Sequence, residues 1–351
     1  TEPRIAFVTH RFRHHAPSSG YDRVLDTIPG ERLDPGLLIR LARPLPDRIF
    51  SWIRRASGME LYGRPRCLHE IRATLPFLFG ARRVFHFVYA DNAFRYLGRL
   101  PNLHGHRIVA TYHRPPSVLE RSIRDPRFLQ TLDHVIILGE SQREFFRRHL
   151  DESRITMIPH GIDCDFFSPG PLEAREKRCL FVGHYLRDFE LFRAAVRALV
   201  HRQPDARVTV VARPRFVAEF DFLPNTEVVT EIPETELRAL YRRSSVLLLP
   251  LIDAVANNTI LEAIACGLPV VTTAVGSVGD YLQGDAGVAV PAGDAERLSD
   301  AASRYLTDHE LLARASRAAR DLAVGRFELG KIAARLRETL SEVASRPVRD
   351  V

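Results

Sequence analysis

The chain has 351 residues, more than one ordinary domain, with 45% hydrophobic and 26% charged residues, the balance of a soluble globular fold. No apolar run approaches the ~20 residues of a spanning helix, and the four cysteines (Cys67, Cys164, Cys179, Cys266) form no C-x-x-C pair, which argues against a zinc module or a disulfide framework. The net charge of +7 rests almost wholly on arginine, with Lys177 and Lys331 as the lysines, and it favours anionic partners: nucleotides, a membrane surface or nucleic acid.

A short apolar strand is expected at Ile5–Thr9. A polar loop over 10–20 follows, ending Ser18-Ser19-Gly20, and a helix opens at Tyr21. That order describes the first unit of a doubly wound α/β domain. Gly20 would let backbone come close to a ligand. The stretch 37–79 is irregular and arginine-rich (Arg40, Arg43, Arg48, Arg54, Arg55, Arg64, Arg66, Arg72). Pro44 and Pro46 forbid one long helix there. Within it, Ile49–Arg55 reads as an amphipathic surface turn. The favoured role is a solvated face packed on its own sheet. A peripheral membrane contact is the alternative, because basic residues flank Trp52 and aliphatic side chains.

Strands return at 84–88, 107–111, 134–138 and 155–158, with Glu140-Ser141 capping a helix from Gln142. His113 and Arg114 follow the second of these strands. The carboxyl ends of strands are where open α/β sheets bind ligands. Asp163-Cys164-Asp165 superficially matches an Asp-x-Asp metal motif. It runs into Ser168-Pro169-Gly170-Pro171, which has the composition of an interdomain linker, so Asp163 is read as a turn cap and no metal is expected.

The second half repeats the rhythm. Strands are expected at 178–182, 207–212, 227–230, 246–250, 270–272 and 287–290, with helices at 190–202, 234–243, from 295, 310–324 and 329–343. A short helix joins the strands at 246–250 and 270–272. Asn257 or Asn258 caps its start, Gly267 ends it and Pro269 forbids continuation. Asn258 and Glu262 lie four apart, on one face. The free N–H groups at such a tip suit a diphosphate. A carboxylate one turn further in suits the two hydroxyls of a ribose. A solvated surface glutamate is the equally weighted alternative. Alternating strands and helices in both halves predict two parallel-sheet domains with ligand in a cleft between them.

The ordered set of motifs resembles the retaining GT-B glycosyltransferases of the nucleotide-sugar family 4 type, across nearly the whole chain. The pieces are Ser18-Ser19-Gly20, Thr111-Tyr112-His113, Asp133-His134-Val135-Ile136 with Ser141, Ile158-Pro159-His160-Gly161-Ile162-Asp163, Leu180-Phe181-Val182-Gly183, Leu249-Pro250, Leu261–Val271 and Val290-Pro291-Ala292-Gly293-Asp294. The resemblance implies two Rossmann-like domains: an acceptor domain over 1–168, a nucleotide-sugar domain over 169–325, and a final helix over 326–351 crossing back to the first. It implies metal-independent transfer, with retention, from a nucleotide diphosphate sugar to a hydroxyl on a glycan, lipid-linked or small-molecule acceptor. Donor contacts fall to Gly20, Gly183, His184, Arg187, Arg213, Asn257, Asn258, Thr259 and Glu262. Acceptor contacts fall to Ser19, His113 and Arg114, and catalysis to His113, Arg187 and Glu262. Glu262 is the second glutamate of the family's Glu-x7-Glu motif; the first falls on Ala254, with Asp253 beside it. The family's Arg falls on His184 and its Lys on Phe189, so Arg187 is the nearest cation for the diphosphate.

The alternatives are a sugar-nucleotide epimerase or hydrolase on the same fold, or a nucleotide-sugar-binding protein without transfer activity. The arginines spread along the chain instead of clustering with aromatics, so no nucleic acid partner is expected. No signal-peptide pattern is visible, and a cytoplasmic protein, peripheral at the inner face of the membrane where the acceptor is lipid-linked, is expected. No cofactor is expected.

Overall fold

A computed structural model describes residues 3–9, 18–63 and 66–347. The expected loop over 10–17, Arg64 and the tail 348–351 lie outside the described residues. The fold is α/β, with two six-stranded parallel sheets.

The first sheet has the order β2-β1-β3-β4-β5-β6, with β1 Ile5–Val8, β2 Glu31–Leu33, β3 Val84–Phe87, β4 Arg107–Tyr112, β5 His134–Ile137 and β6 Ile155–Met157. The second has the order β12-β11-β10-β7-β8-β9, with β7 Arg178–Val182, β8 Arg207–Val211, β9 Thr226–Val229, β10 Val246–Leu249, β11 Val270–Thr273 and β12 Gly287–Val290. Inner strands such as β7, β10 and β11 are buried along their whole length. That is why they are mostly apolar, Val246–Leu249 without interruption: a parallel sheet has helices on both faces. Edge strands differ. β2 is only three residues, with Glu31 and Arg32 exposed, and the charges blunt the open edge.

Each sheet carries its own apolar core, one built around Phe85, Phe87 and Phe128, the other around Phe181, Leu248 and Ile264. Among the described residues, one compact unit comprises 3–9, 22–159 and 332–347, and the other 18–21 and 160–331. The Ser168–Pro171 stretch is therefore inside the second unit. Arg242 holds it there, donating from Nε to the Ser168 carbonyl at 2.7 Å and from Nη2 to its hydroxyl at 2.8 Å. Asp163 caps a turn, its Oδ1 accepting from the N–H groups of Asp165 and Phe166.

Two further departures from the sequence reading fall in 37–79. The Ile49–Arg55 turn is part of a full helix, Asp47–Ser57. Pro46 precedes its first residue, where a missing N–H costs nothing. A second helix, Cys67–Phe79, runs through Pro76. The final helix, Leu329–Ser345, follows a π-helical turn at Ala323–Phe327. From Ile332 onward it packs with the first unit, where Arg335 donates to the Met157 carbonyl at 3.1 Å.

Candidate active site

The second sheet changes winding direction between β7 and β10, and open α/β sheets bind ligands at the carboxyl ends of such a pair. The loops leaving these two strands are tied together. The N–H of Asp188 donates to the Pro250 carbonyl at 3.1 Å and that of Ile252 to Leu186 at 2.9 Å. Gly183, directly after β7, takes φ +91°, and a Cβ there would lie 3.1 Å from the Arg187 guanidinium. The backbone conformation favours glycine, and any side chain there would press against the Arg187 guanidinium.

After β10 comes the helix Asn258–Ala265. Asn257 is its N-cap, with Oδ1 accepting from the N–H of Ile260 at 3.3 Å. Its far end closes as a Schellman motif. Gly267, at φ +65°, donates to Ile264 and Leu268 donates to Ala263. All seven residues from Thr259 to Ala265 are buried. Glu262, 6% exposed, is no solvated surface glutamate. Its Oε2 accepts from the Tyr241 hydroxyl at 2.7 Å.

Asn258 and Glu262 do share a face, and Ser19 meets both. Asn258 Nδ2 donates to the Ser19 carbonyl at 2.9 Å. The Ser19 hydroxyl is near enough to the Glu262 carboxylate to favour its ionised form, although it makes no well-directed hydrogen bond. Glu234, at the start of helix Glu234–Arg243, accepts from the Ser18 N–H on both carboxylate oxygens at 3.1 Å. The Ser18–Gly20 loop therefore packs with the second unit, at the tip of the Asn258 helix.

Charge is uneven across this site. Burial pushes the Glu262 carboxyl up to about 7, with the Ser19 and Tyr241 hydroxyls opposing, the Glu234 charge assisting and the Arg187 charge opposing. Arg187 is half-buried. Nε donates to the Val182 carbonyl, Nη1 to Tyr185 and Nη2 to the Thr259 hydroxyl, each at 3.1 Å. Desolvation lowers its guanidinium to about 10. Among the described residues no carboxylate pairs with it. Glu262 acts on it electrostatically without forming an ion pair, and a desolvated guanidinium with no ion-paired carboxylate is a receptor for an anion. His184 stacks on Phe216 at 4.7 Å, and burial together with Arg213, Arg215 and Arg187 keeps its imidazole below the usual pKa, hence neutral. Arg213 is exposed beside it.

Gly183, His184, Arg187, Arg213, Asn257, Asn258, Thr259 and Glu262 thus gather with Ser19 and Gly20 in one unit. His113 and Arg114 belong to the first unit, at the carboxyl end of β4. His113 Nε2–H donates to the Val88 carbonyl at 2.7 Å and the ring stacks on Tyr89 at 4.6 Å. The buried Asp91 carboxylate accepts from the N–H groups of both His113 and Arg114. Sequence reasoning missed Tyr241, Glu234 and Phe216. An acidic first turn is visible at Glu234, but nothing local marks any of the three as a site residue.

Residues 176–308, which span β7 to β12, match the family model described as glycosyl transferases group 1. The matched residues make up most of the second unit, which is similar there to a group 1 glycosyltransferase domain. Over 181 residues the chain is 29% identical to a D-inositol 3-phosphate glycosyltransferase of Mycobacterium sp. (strain KMS), covering 45% of this chain and 41% of that one. The chain spans about half the length of the curated relatives it matches. Two solved structures extend the likeness beyond the glycosyltransferase domain. An E. coli structure, described as trehalose-6-phosphate bound with UDP-2-fluoro glucose, aligns with a TM-score of 0.70 at 14% identity, over 99% of this chain and 100% of that one. A glycosyltransferase from Rickettsia africae aligns with a TM-score of 0.68 at 15% identity, over 99% and 100%. The architecture is that of the GT-B glycosyltransferases.

Proposed function

We propose that the chain transfers a sugar, with retention and without a metal, from a nucleoside diphosphate sugar to a hydroxyl acceptor. The observation that carries this reading is the juxtaposition of a buried Glu262 with Arg187, a desolvated guanidinium that forms no ion pair among the described residues, at the switch point of the second sheet. The ribose hydroxyls donate to Glu262. The diphosphate takes the N–H groups at the Asn258 helix tip, with Arg187 and Arg213 supplying positive charge. Arginine and backbone cover the charge that builds on the leaving diphosphate. The acceptor hydroxyl attacks from the face the diphosphate leaves, and its proton passes to a phosphate oxygen. His113 orients substrate; its Nε2–H is already committed to Val88. The E. coli neighbour's ligand, UDP-2-fluoro glucose, favours a UDP-sugar over GDP and ADP counterparts.

The test is a thermal-shift panel of UDP-, GDP- and ADP-sugars. The selected donor is then incubated with candidate acceptors, including D-inositol 3-phosphate, the acceptor in the Mycobacterium relative's name. Transfer with an unchanged anomeric configuration, undiminished by EDTA, is expected. Donor binding with sugar isomerisation, or with release of free sugar and none transferred, would instead favour an epimerase or a hydrolase. Binding with no turnover would favour a module that has lost transfer.

A lipid-linked acceptor suits the surface of the first unit. Helix Gly36–Leu41 exposes Leu37 and Leu41, helix Asp47–Ser57 exposes Ile49 and Trp52, and helix Cys67–Phe79 exposes Ile71, Leu75 and Phe79. Arg40, Arg43, Arg48, Arg54 and Arg55 are exposed among them. Apolar rows edged by arginine fit an anionic bilayer surface. No helix among the described residues is long and apolar enough to cross a membrane. Trp52 is the chain's single tryptophan, so its emission reports this contact alone. It should shift to the blue with phosphatidylglycerol vesicles and not with phosphatidylcholine vesicles. Trp52→Glu should cut co-flotation with the anionic vesicles about fivefold or more. Equal flotation of parent and variant would remove the membrane from the proposal.

A further inference from the structure

The end of the first sheet opposite His113 and Arg114 carries a feature that sugar transfer does not use. Three neighbouring strands, β1, β3 and β4, all enter the sheet on arginine: Arg4 precedes Ile5, Arg82 and Arg83 precede Val84, and Arg107 opens β4. Backbone bonds hold these entries side by side. The N–H of Val84 donates to the Arg4 carbonyl at 2.9 Å and that of Arg107 to the Arg83 carbonyl at 3.1 Å. Adjacent strands run about 4.8 Å apart, so like charges are crowded here, an arrangement that destabilises unless it is compensated.

Compensation is incomplete. Arg83 pairs with Glu31 at 2.6 Å and Arg107 with Asp133 at 3.2 Å. Arg82 donates to the Ala344 carbonyl and Arg107 to the Arg346 and Pro347 carbonyls, which occupies the end of the last helix. Among the described residues Arg4 has no side-chain partner. Arg107 is only 3% exposed, yet among the described residues its Nε–H has no acceptor. A buried guanidinium N–H without a partner carries a desolvation cost that an arriving anion removes. Beside these groups lies a cavity of about 620 Å³, lined by Arg4, Arg82, Arg83, Arg107, Ser341 and Ser345. That size accepts a small phosphorylated molecule.

We propose that this cavity is a second anion site, which takes a phosphate-bearing ligand through Arg4, Arg82 and the unsatisfied Nε–H of Arg107. Among the described residues, four guanidiniums face two carboxylates, Glu31 and Asp133, an excess that matches a phosphate dianion. Neither donor nor acceptor sugar is involved, so the site stands or falls separately from the transfer reaction.

The experiment titrates the full chain with inorganic pyrophosphate by calorimetry, in parallel with Arg4→Glu and Arg213→Ala. Arg107 is left intact, because its loss would unfasten Asp133 and the last helix. Pyrophosphate has two places to bind, and the two variants separate them. Expected are two binding events in the parent, one weakened about tenfold or more by Arg4→Glu, the other by Arg213→Ala. A second arm compares glycerol 3-phosphate with phosphatidic acid vesicles. Weakening by Arg4→Glu confined to the soluble compound assigns a free phosphorylated ligand, and weakening confined to the vesicles assigns a lipid headgroup. If Arg4→Glu leaves every titration unchanged while melting at the parent temperature, the proposal is overturned. A circular dichroism melt confirms that the variant is folded.

Discussion

Glu262→Ala should lower affinity for the selected nucleotide sugar by about a hundredfold or more. A hydrogen bond to a charged group contributes about 1.5–3 kcal/mol, and two ribose hydroxyls supply two of them, where 1.4 kcal/mol is tenfold. The variant also leaves the buried Tyr241 hydroxyl without its acceptor. Glu262→Gln separates these effects, because its amide oxygen can still accept from Tyr241. The pH dependence gives a second signature. Burial lifts the carboxyl to about 7, so its ionised, doubly accepting form gains population as pH rises through 7. Affinity for a UDP-sugar, whose phosphates do not titrate there, should climb between pH 6 and 8 in the parent and stay flat in Glu262→Gln. Tyr241 titrates far higher and Arg187 stays charged over that range. Stability runs in the opposite sense. A raised carboxyl pKa means that the native state holds the proton more tightly than the unfolded chain. Stability therefore falls as pH climbs from the ordinary carboxylate range through 7, by on the order of 3 kcal/mol. Glu262→Gln should accordingly melt above the parent at pH 8 and level with it at pH 5. Undiminished donor binding by Glu262→Ala would sink the ribose assignment.

The parts of this molecule that were legible in its sequence are those decided locally. Central strands such as Val246–Leu249 are unbroken apolar runs because both faces are covered, and the composition says so directly. Asn257 and Gly267 bracket their helix through cap chemistry that needs only neighbours along the chain. Glu31–Leu33 escaped because an edge strand of three residues carries two exposed charges, and charge at an edge looks like a loop. Pro46 was weighed as a breaker, although proline just ahead of a first turn is a start signal. The Cys67–Phe79 helix runs through Pro76 in its last turns, an interior position where a proline ordinarily breaks a helix, so local chemistry does not announce it. In the candidate site, Asn258 and Glu262 were placed on one face by spacing alone. What they touch was not legible. Ser19 comes from far along the chain, and Tyr241 reaches Glu262 from another helix. The burial that shifts Glu262 is a property of the packed sheet, not of the Leu-Glu-Ala motif.

Arg187→Lys should weaken the nucleotide sugar about tenfold or more while leaving affinity for the bare nucleoside within about twofold. The guanidinium is anchored through Nε to Val182, Nη1 to Tyr185 and Nη2 to Thr259, which uses three of its five N–H donors. Those bonds fix a planar fork across the loops after β7 and β10, and they leave two N–H groups and the whole charge for a ligand. Lysine keeps the charge but cannot brace both carbonyls and meet a diphosphate at once. Its ammonium has three donors and no planar geometry. Arg187→Ala adds a stability cost of about 2–4 kcal/mol, since the Val182 and Tyr185 carbonyls lose their partner. The lysine variant is therefore the cleaner probe, with the exposed Arg213→Ala as a comparison that alters charge without touching the brace. Binding is read by calorimetry as the ratio of the fold-change for nucleoside diphosphate to that for nucleoside. A ratio near one would mean that Arg187 only holds the switch-point loops in shape, and the diphosphate would then have to be gripped by Arg213 and the Asn258 helix tip.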